Sequence, residues 1–162
     1  MFKFHRSTNI IGNDLLESRL FDEQSFYKAF LKDFKHAKKE VLIESPFMTV
    51  KRAEEITPLC RKLVRKGVKI KIFTRNPNHH EGRLRIQAWI AIKMFRDTGV
   101  KVRVCNDMRH RKLAVVDGAI LWEGSLNMLS QNKSREMMRR TVSEVLSRQV
   151  VSFAGLNNGL WW

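Results

Sequence analysis

Apolar positions recur along this chain at two periods, and each change of period marks an element. Over Ser25–Ala37, Phe26, Phe30, Phe34 and Ala37 fall at spacings of four, four and three. That is one face of an amphipathic helix, and an aromatic stripe at helical spacing reads as core. Val41–Glu44 is a short apolar run closed by Pro46, which reads as a buried strand. Ile56, Leu59, Cys60, Leu63 and Val64 form a second helical face that ends at Gly67. Pro58 leaves two versions of that helix open: one kinked at Pro58, or one starting there with Thr57 as N-cap. Val68–Thr74 alternates apolar residues with lysine and reads as a strand with one charged side. Residues 75–82 (RNPNHHEG) are a loop by composition. Residues 83–98 form a long helix carrying Leu84, Trp89, Ile90, Ile92, Met94 and Phe95, and Val100–Cys105 is the next strand.

The second half continues in the same way. Lys112–Val116 reads as a strand, and Asp117-Gly118 as a hairpin turn into the next one. After Asn127 a polar stretch with Lys133, Arg135, Arg139 and Arg140 is expected to be helical or looped. Ser143 is placed to cap a last helix that packs Val145, Leu146, Val150 and Phe153. The closing Trp161 and Trp162 are expected on the core, with base stacking as the alternative. Residues 1–20 have weak periodicity and are expected to form an N-terminal arm, with a short strand near Asn9–Ile11. Residues 21–162 are expected to form one domain. Strands alternating with helices predict an α/β fold, a mixed β-sheet sandwiched between helices with its functional groups along one rim.

Charge changes the picture more than length does. Lys plus Arg number 31 against 16 Asp plus Glu, a formal +15. A domain this basic suggests a polyanionic partner, with nucleic acid first and anionic lipid head groups second. The start of the chain has no apolar run of about 7–15 residues of the signal-peptide kind. No run of about 18 apolar residues exists, so no stable membrane insertion is expected and the expected location is the cytoplasm. Cys60 and Cys105 sit in apolar contexts and read as buried free thiols. His79, His80 and Glu81 read as a polar loop, because adjacent residues chelate one ion poorly. No metal site and no cofactor are expected.

The chemistry concentrates in HRKLAVVDGAILWEGSLN, residues 110–127. Side chains at i and i+2 share one face of a strand, so His110 and Lys112 belong together provided the strand reaches back to residue 110. Asp117 lies seven residues from His110 and five from Lys112. Both separations are odd, so Asp117 faces the other way and is better suited to fix a turn. A phosphodiester can be broken by a nucleophile, a cation on the phosphoryl oxygens and a proton for the leaving oxygen. Histidine can serve as nucleophile or acid, lysine as cation. Ser125, Asn127 and the backbone at Gly124 can supply further donors.

The spacing His110-x-Lys112-x4-Asp117-x6-Gly124-Ser125-x-Asn127 resembles the HKD signature of the phospholipase D superfamily. Within it the chain is most similar to small single-motif nucleases of about this length. The resemblance extends over roughly residues 20–155, through VLIESPF (41–47), VKIKIFTR (68–75) and the segment that Glu136 opens. It implies a phosphohistidine intermediate on His110, resolved by water, with a second motif's histidine protonating the leaving oxygen. One motif per chain then implies a two-fold homodimer with a shared active site at the seam. It also implies that Glu136 orients the histidine.

Arg75, Arg83, Arg109, Arg111, Lys133 and Arg135 are the expected nucleic-acid contacts, with little base specificity, since phosphate contacts carry no sequence information. The function expected is a metal-independent phosphodiesterase cutting DNA or RNA. The alternatives are a phospholipid phosphodiesterase or transferase of the same superfamily, or a binding module that cuts nothing. Uncontrolled cutting would harm a cell, so a regulatory partner is expected, though the sequence identifies none.

Overall fold

Alternating β-branched runs and amphipathic stretches assemble into one seven-stranded sheet with four helices among the described residues. The structure is a computed structural model that describes residues 17–130 and 134–157. The strands are β1 (Glu17–Asp22), β2 (Glu40–Glu44), β3 (Lys69–Arg75), β4 (Lys101–Cys105), β5 (Lys112–Val116), β6 (Ile120–Gly124) and β7 (Met137–Val142). The helices are α1 (Phe26–Lys35), α2 (Val50–Arg65), α3 (Gly82–Arg96) and α4 (Glu144–Ala154). The order across the sheet is β1-β7-β6-β5-β2-β3-β4. β2, β3 and β4 run parallel, joined by helical crossovers, while every other pairing is antiparallel.

Strand alternation divides the core in two. Val41, Ile43, Ile70, Ile72, Val102, Ala114, Val116 and Trp122 meet the apolar faces of α1, α2 and α3. Leu42, Phe73, Leu113, Val115 and Leu121 face the other way, toward Ala154 and Leu156 at the end of α4. Phe26, Phe30 and Phe34 are fully buried, as their spacing predicts. Phe26 and Phe30 pack edge-on against Trp122. The Trp122 indole donates to Asp33 at 2.9 Å, and Arg140 pairs with the same carboxylate at 2.7 Å. An aromatic core this large leaves one indole N–H to satisfy, and Asp33 satisfies it.

Four features differ from the sequence reading, one of them Phe153, expected to pack in the last helix but 83% exposed. β1 crosses the arm boundary expected at residue 20, so residues 17–20 lie in the sheet, paired with β7. Its residues are mostly exposed, which is why no apolar alternation announced it. α2 starts at Val50, capped by the Thr49 hydroxyl, and carries Pro58 in its interior. Thr57-Pro58 therefore does not start it; neighbouring packing outweighs the one donor that proline removes. The stretch with Arg139 and Arg140, expected to be helical or looped, is strand β7, because it has β1 and β6 to pair with. The strand expected near Asn9–Ile11, Lys133 and the two closing tryptophans lie outside the described residues.

Among the described residues no helix is long and apolar enough to cross a membrane. Cys60 and Cys105 are buried free thiols, and burial pushes Cys60 up to about 12.

Candidate active site at the rim of the sheet

β5 opens with Lys112, whose alternation sets it on the face of Ala114 and Val116. The lysine is only 9% exposed, so its ammonium has few places to find partners. Its Nζ donates to the His110 carbonyl at 2.7 Å and lies 2.8 Å from His110 Nδ1. An ammonium can only donate. Nε2 lies 3.3 Å from the same ammonium, so whichever ring nitrogen is bare can accept from Lys112, with Nδ1 the nearer. Burial, then the charges of Lys112 and Arg75, hold His110 below the usual histidine range. Burial also lowers Lys112; the carboxylate of Glu136 works against that shift and the Arg75 cation adds to it.

A wall of side chains from neighbouring connections backs the histidine. Phe47, just past β2, meets the His110 ring edge-on at 6.0 Å between centroids. The His80 ring lies 4.9 Å from the same phenyl, and the Arg75 guanidinium 5.6 Å from it. His80 is buried and hydrogen-bonds the Pro46 carbonyl. Burial first, then Arg75, lowers its pKa.

Register brings the glycine-serine turn to the same place. Lys112 pairs directly with Gly124 across β5 and β6. The Ser125 amide donates to the Met137 carbonyl at 3.0 Å, and the Met137 amide donates to Ser125 Oγ at 3.1 Å. Ser125 thus ties the end of β6 to the start of β7. Asn127 Oδ1 is buried without a partner, an orphan acceptor in the turn that follows. Glu136 precedes β7, with its amide donating to Glu23 at 3.1 Å and its charge acting on Lys112.

Comparison with known proteins fits this arrangement. The family described as cardiolipin synthase, PLD-like domain, matches residues 30–154. The chain belongs to the phospholipase D-like family. No curated protein matches it. Nuc, a phospholipase D family member from Salmonella typhimurium, superposes with a TM-score of 0.70 at 19% identity, covering 90% of this chain and 99% of its own. NucT from Helicobacter pylori gives 0.67 at 18%, with the same coverage. The phosphatidylserine synthase of Haemophilus influenzae Rd KW20 gives 0.63 at 13%, over 88% of this chain and 37% of its own.

Within this phospholipase D-like chain, the remaining motif residue has a structural place. Asp117 and Gly118 both have positive φ, 53° and 68°, the geometry of a tight hairpin turn. The Asp117 carboxylate accepts from the amides of Lys38, Lys39 and Glu40 at 2.7 to 3.2 Å. It holds the start of β2 to the β5–β6 turn, at the opposite end of β5 from Lys112.

The expected phosphate contacts separate. Alternation turns Arg111 to the α4 face, where it grips Glu44 and donates to the Ala154 carbonyl at 3.2 Å. Arg109 binds Asp107 through two 2.7 Å bonds and reaches Glu44 at 3.8 Å. Arg75 bonds backbone carbonyls beside the site. Arg83 stands exposed near the start of α3, and Arg135 is exposed and pairs with Glu23 at 3.0 Å. Glu44, wholly buried, is the partner that sequence reading missed; burial raises its pKa while the Arg111 guanidinium works against the rise. Its one signal was a carboxylate closing an apolar run. Phe47 gave no signal, since an aromatic after a proline is unremarkable in sequence. Among the described residues no cluster of His, Cys, Asp and Glu could hold a metal ion.

Proposed function

We propose that this chain is a phosphodiesterase that cleaves nucleic acid through a phosphohistidine on His110, acting as a homodimer with a shared site. The observation that carries the reading is the contact of His110 with Lys112 at the rim, 2.8 Å from Nζ to Nδ1. Burial and the cations of Lys112 and Arg75 hold His110 below the usual histidine range, which favours an imidazole with a free lone pair near neutral pH. A phosphate entering the site would draw the ammonium onto its oxygens and release His110 for attack.

The steps balance without a further reagent. An imidazole nitrogen forms a bond to phosphorus, the phosphorus–oxygen bond to the leaving group breaks, and His110 of a second copy gives that oxygen its proton. Water then attacks phosphorus, the nitrogen–phosphorus bond breaks, and the second histidine takes up the water's proton. Lys112, Ser125 and Asn127 would stabilise the equatorial oxygens, and Glu136 would orient the histidine pair. The +15 formal charge favours a polyanion as substrate, with the exposed Arg83 and Arg135 on its path.

A second reading has a specific support. The matching family model carries a cardiolipin synthase description, and a phosphatidylserine synthase shares the fold. The same chemistry applied to a phospholipid head group is the alternative.

One experiment separates them. Labelled single-stranded DNA, duplex DNA, RNA and phospholipid vesicles are incubated with wild type and His110→Ala in excess EDTA. Cleavage of a nucleic acid that survives EDTA and vanishes in the variant is expected. Turnover of lipid alone would transfer the reading to the second class, and binding without cleavage would leave a binding module.

A further inference from the structure

Arg75 closes β3, and the basic composition of the rim marks it as a phosphate contact. Its hydrogen bonds go elsewhere. Nη2 donates to the carbonyl of Met108 at 3.3 Å and to that of Arg109 at 3.2 Å. These are the two carbonyls immediately before His110. Nε is buried and without a partner, so it is closed to solvent. The guanidinium also lies on the Phe47 ring, 5.6 Å from its centroid, and His110 meets that ring at 6.0 Å.

We propose that Arg75 is a positioning residue for His110: it clamps the backbone leading into the histidine and, through Phe47, sets the wall its ring rests on.

The segment needs such a clamp. Residues 106–111 lie outside regular structure, between β4 and β5. Arg109 anchors the near end on Asp107, and Lys112 reaches back to the His110 carbonyl at the far end. Arg75 adds a tie from β3 between these two, on the carbonyl side of the segment, beside the ion pairs that Arg109 and Arg111 make with Glu44 on β2. Both Arg75 bonds leave one nitrogen, Nη2, and the flat group that carries it also lies on Phe47, a combination of planar contact and donors that a lysine ammonium does not reproduce. His80 completes the support by bonding the Pro46 carbonyl beside Phe47. This gives the histidine of the NPNHHEG loop a role that needs no metal.

Charge gives a second consequence. Facing His110 are Lys112 from the start of β5, Arg75 from β3, and the uncharged Phe47 ring from the segment after β2. Glu136, before β7, acts on Lys112, and His80 lies on Phe47. Arg111 and Glu44 pair with each other, and Arg109 with Asp107. Removing the Arg75 cation therefore lets His110 hold its proton to higher pH.

The proposal rests on His110 as the nucleophile, so its test has one readout that needs no activity. The titration of the His110 ring is followed by NMR in wild type, Arg75→Gln and Arg75→Lys, with the signal identified by its loss in His110→Ala. Cleavage of bis(p-nitrophenyl) phosphate and of a labelled single-stranded oligonucleotide is measured alongside. In Arg75→Gln the titration midpoint is expected to rise, and kcat on both substrates to fall by roughly 10- to 100-fold. KM for the oligonucleotide and its salt slope should hold. Arg75→Lys keeps the cation but not the planar group on Phe47, so its midpoint should stay near wild type while kcat falls. An unchanged kcat on the small diester, with a higher oligonucleotide KM and a salt slope smaller by about one, would make Arg75 a phosphate contact and overturn the proposal. A midpoint unmoved in Arg75→Gln would overturn it too. If wild type cleaves neither substrate, the nuclease reading fails by itself, and the titration still decides Arg75.

Discussion

A Cβ built on Gly124 would lie 2.1 Å from the carbonyl oxygen of Met137. The obstacle is backbone, with Met138 Sδ at 2.8 Å behind it, so no side chain can swing aside to make room. β6 and β7 approach this closely only because residue 124 has no side chain. The approach also lets Ser125 exchange hydrogen bonds with Met137 beside Lys112.

Gly124→Ala is therefore expected to push β7 away, at a cost of about 1–3 kcal/mol. The melting temperature should fall, and activity should fall further than the loss of fold explains, because the Ser125 turn moves with β7. Thermal melts and kcat measured together check this. Wild-type values of both would mean the strands can part freely.

A shared site makes a quantitative demand on mixed dimers. His110→Ala alone should lose at least about a thousandfold in activity. Refolded as an equal mixture with wild type, it should leave activity near a quarter of that of the same total protein, since only about a quarter of dimers then carry both histidines. Activity near one half would place a complete site in each chain.

Asp117 is predicted to matter for stability and little for chemistry. Its carboxylate receives three backbone amides, and its φ of 53° is one that aspartate and asparagine tolerate better than alanine. Asp117→Ala should cost about 2–4 kcal/mol in urea unfolding. Asp117→Asn, which keeps an acceptor oxygen and the turn preference, should cost less than half as much. Equal losses in the two variants would argue against the amide cradle.

Two histidines make stability depend on pH in a definite direction. His80 and His110 both titrate below the ordinary histidine value of about 6.5. In that interval the unfolded chain binds more protons than the folded one, so stability rises with pH. The contribution is present above the ordinary value and is lost as pH falls through the folded values. Melting temperatures should drop on acidification below about pH 6.5, and His80→Gln should flatten part of that drop. A His80→Gln curve parallel to wild type would remove His80 from the account.

Most of the fold was legible because its elements bury one face. The Phe26, Phe30 and Phe34 stripe, the apolar run of β2 and the Asp117-Gly118 turn each carry a local physical preference. β1 and β7 were not legible, since an edge strand and its neighbour draw their stability from pairing with each other. His110 and Lys112 meet, but β5 starts at Lys112, so the contact comes from the lysine reaching back to His110 and not from a shared strand face, while Asp117 turns away as parity expected. The same parity applied to Arg111 would have turned it from His110, but only Glu44 on β2 shows where it goes.

What the sequence by itself determined about this protein is its local chemistry: helix and strand periods, turn residues, a strongly basic composition, and a His-x-Lys pair. Those follow from bonds and torsions within a few residues. Only the tertiary structure decided which cations remain open to a ligand and which are committed. Arg75, Arg109 and Arg111 look alike in sequence, yet they end on Met108 and Arg109 carbonyls, on Asp107, and on Glu44. A guanidinium bonds whatever carbonyl or carboxylate the fold brings near it, and those partners lie up to 67 residues away in the chain. Contacts at such separations are set by how the sheet closes, which no local pattern encodes.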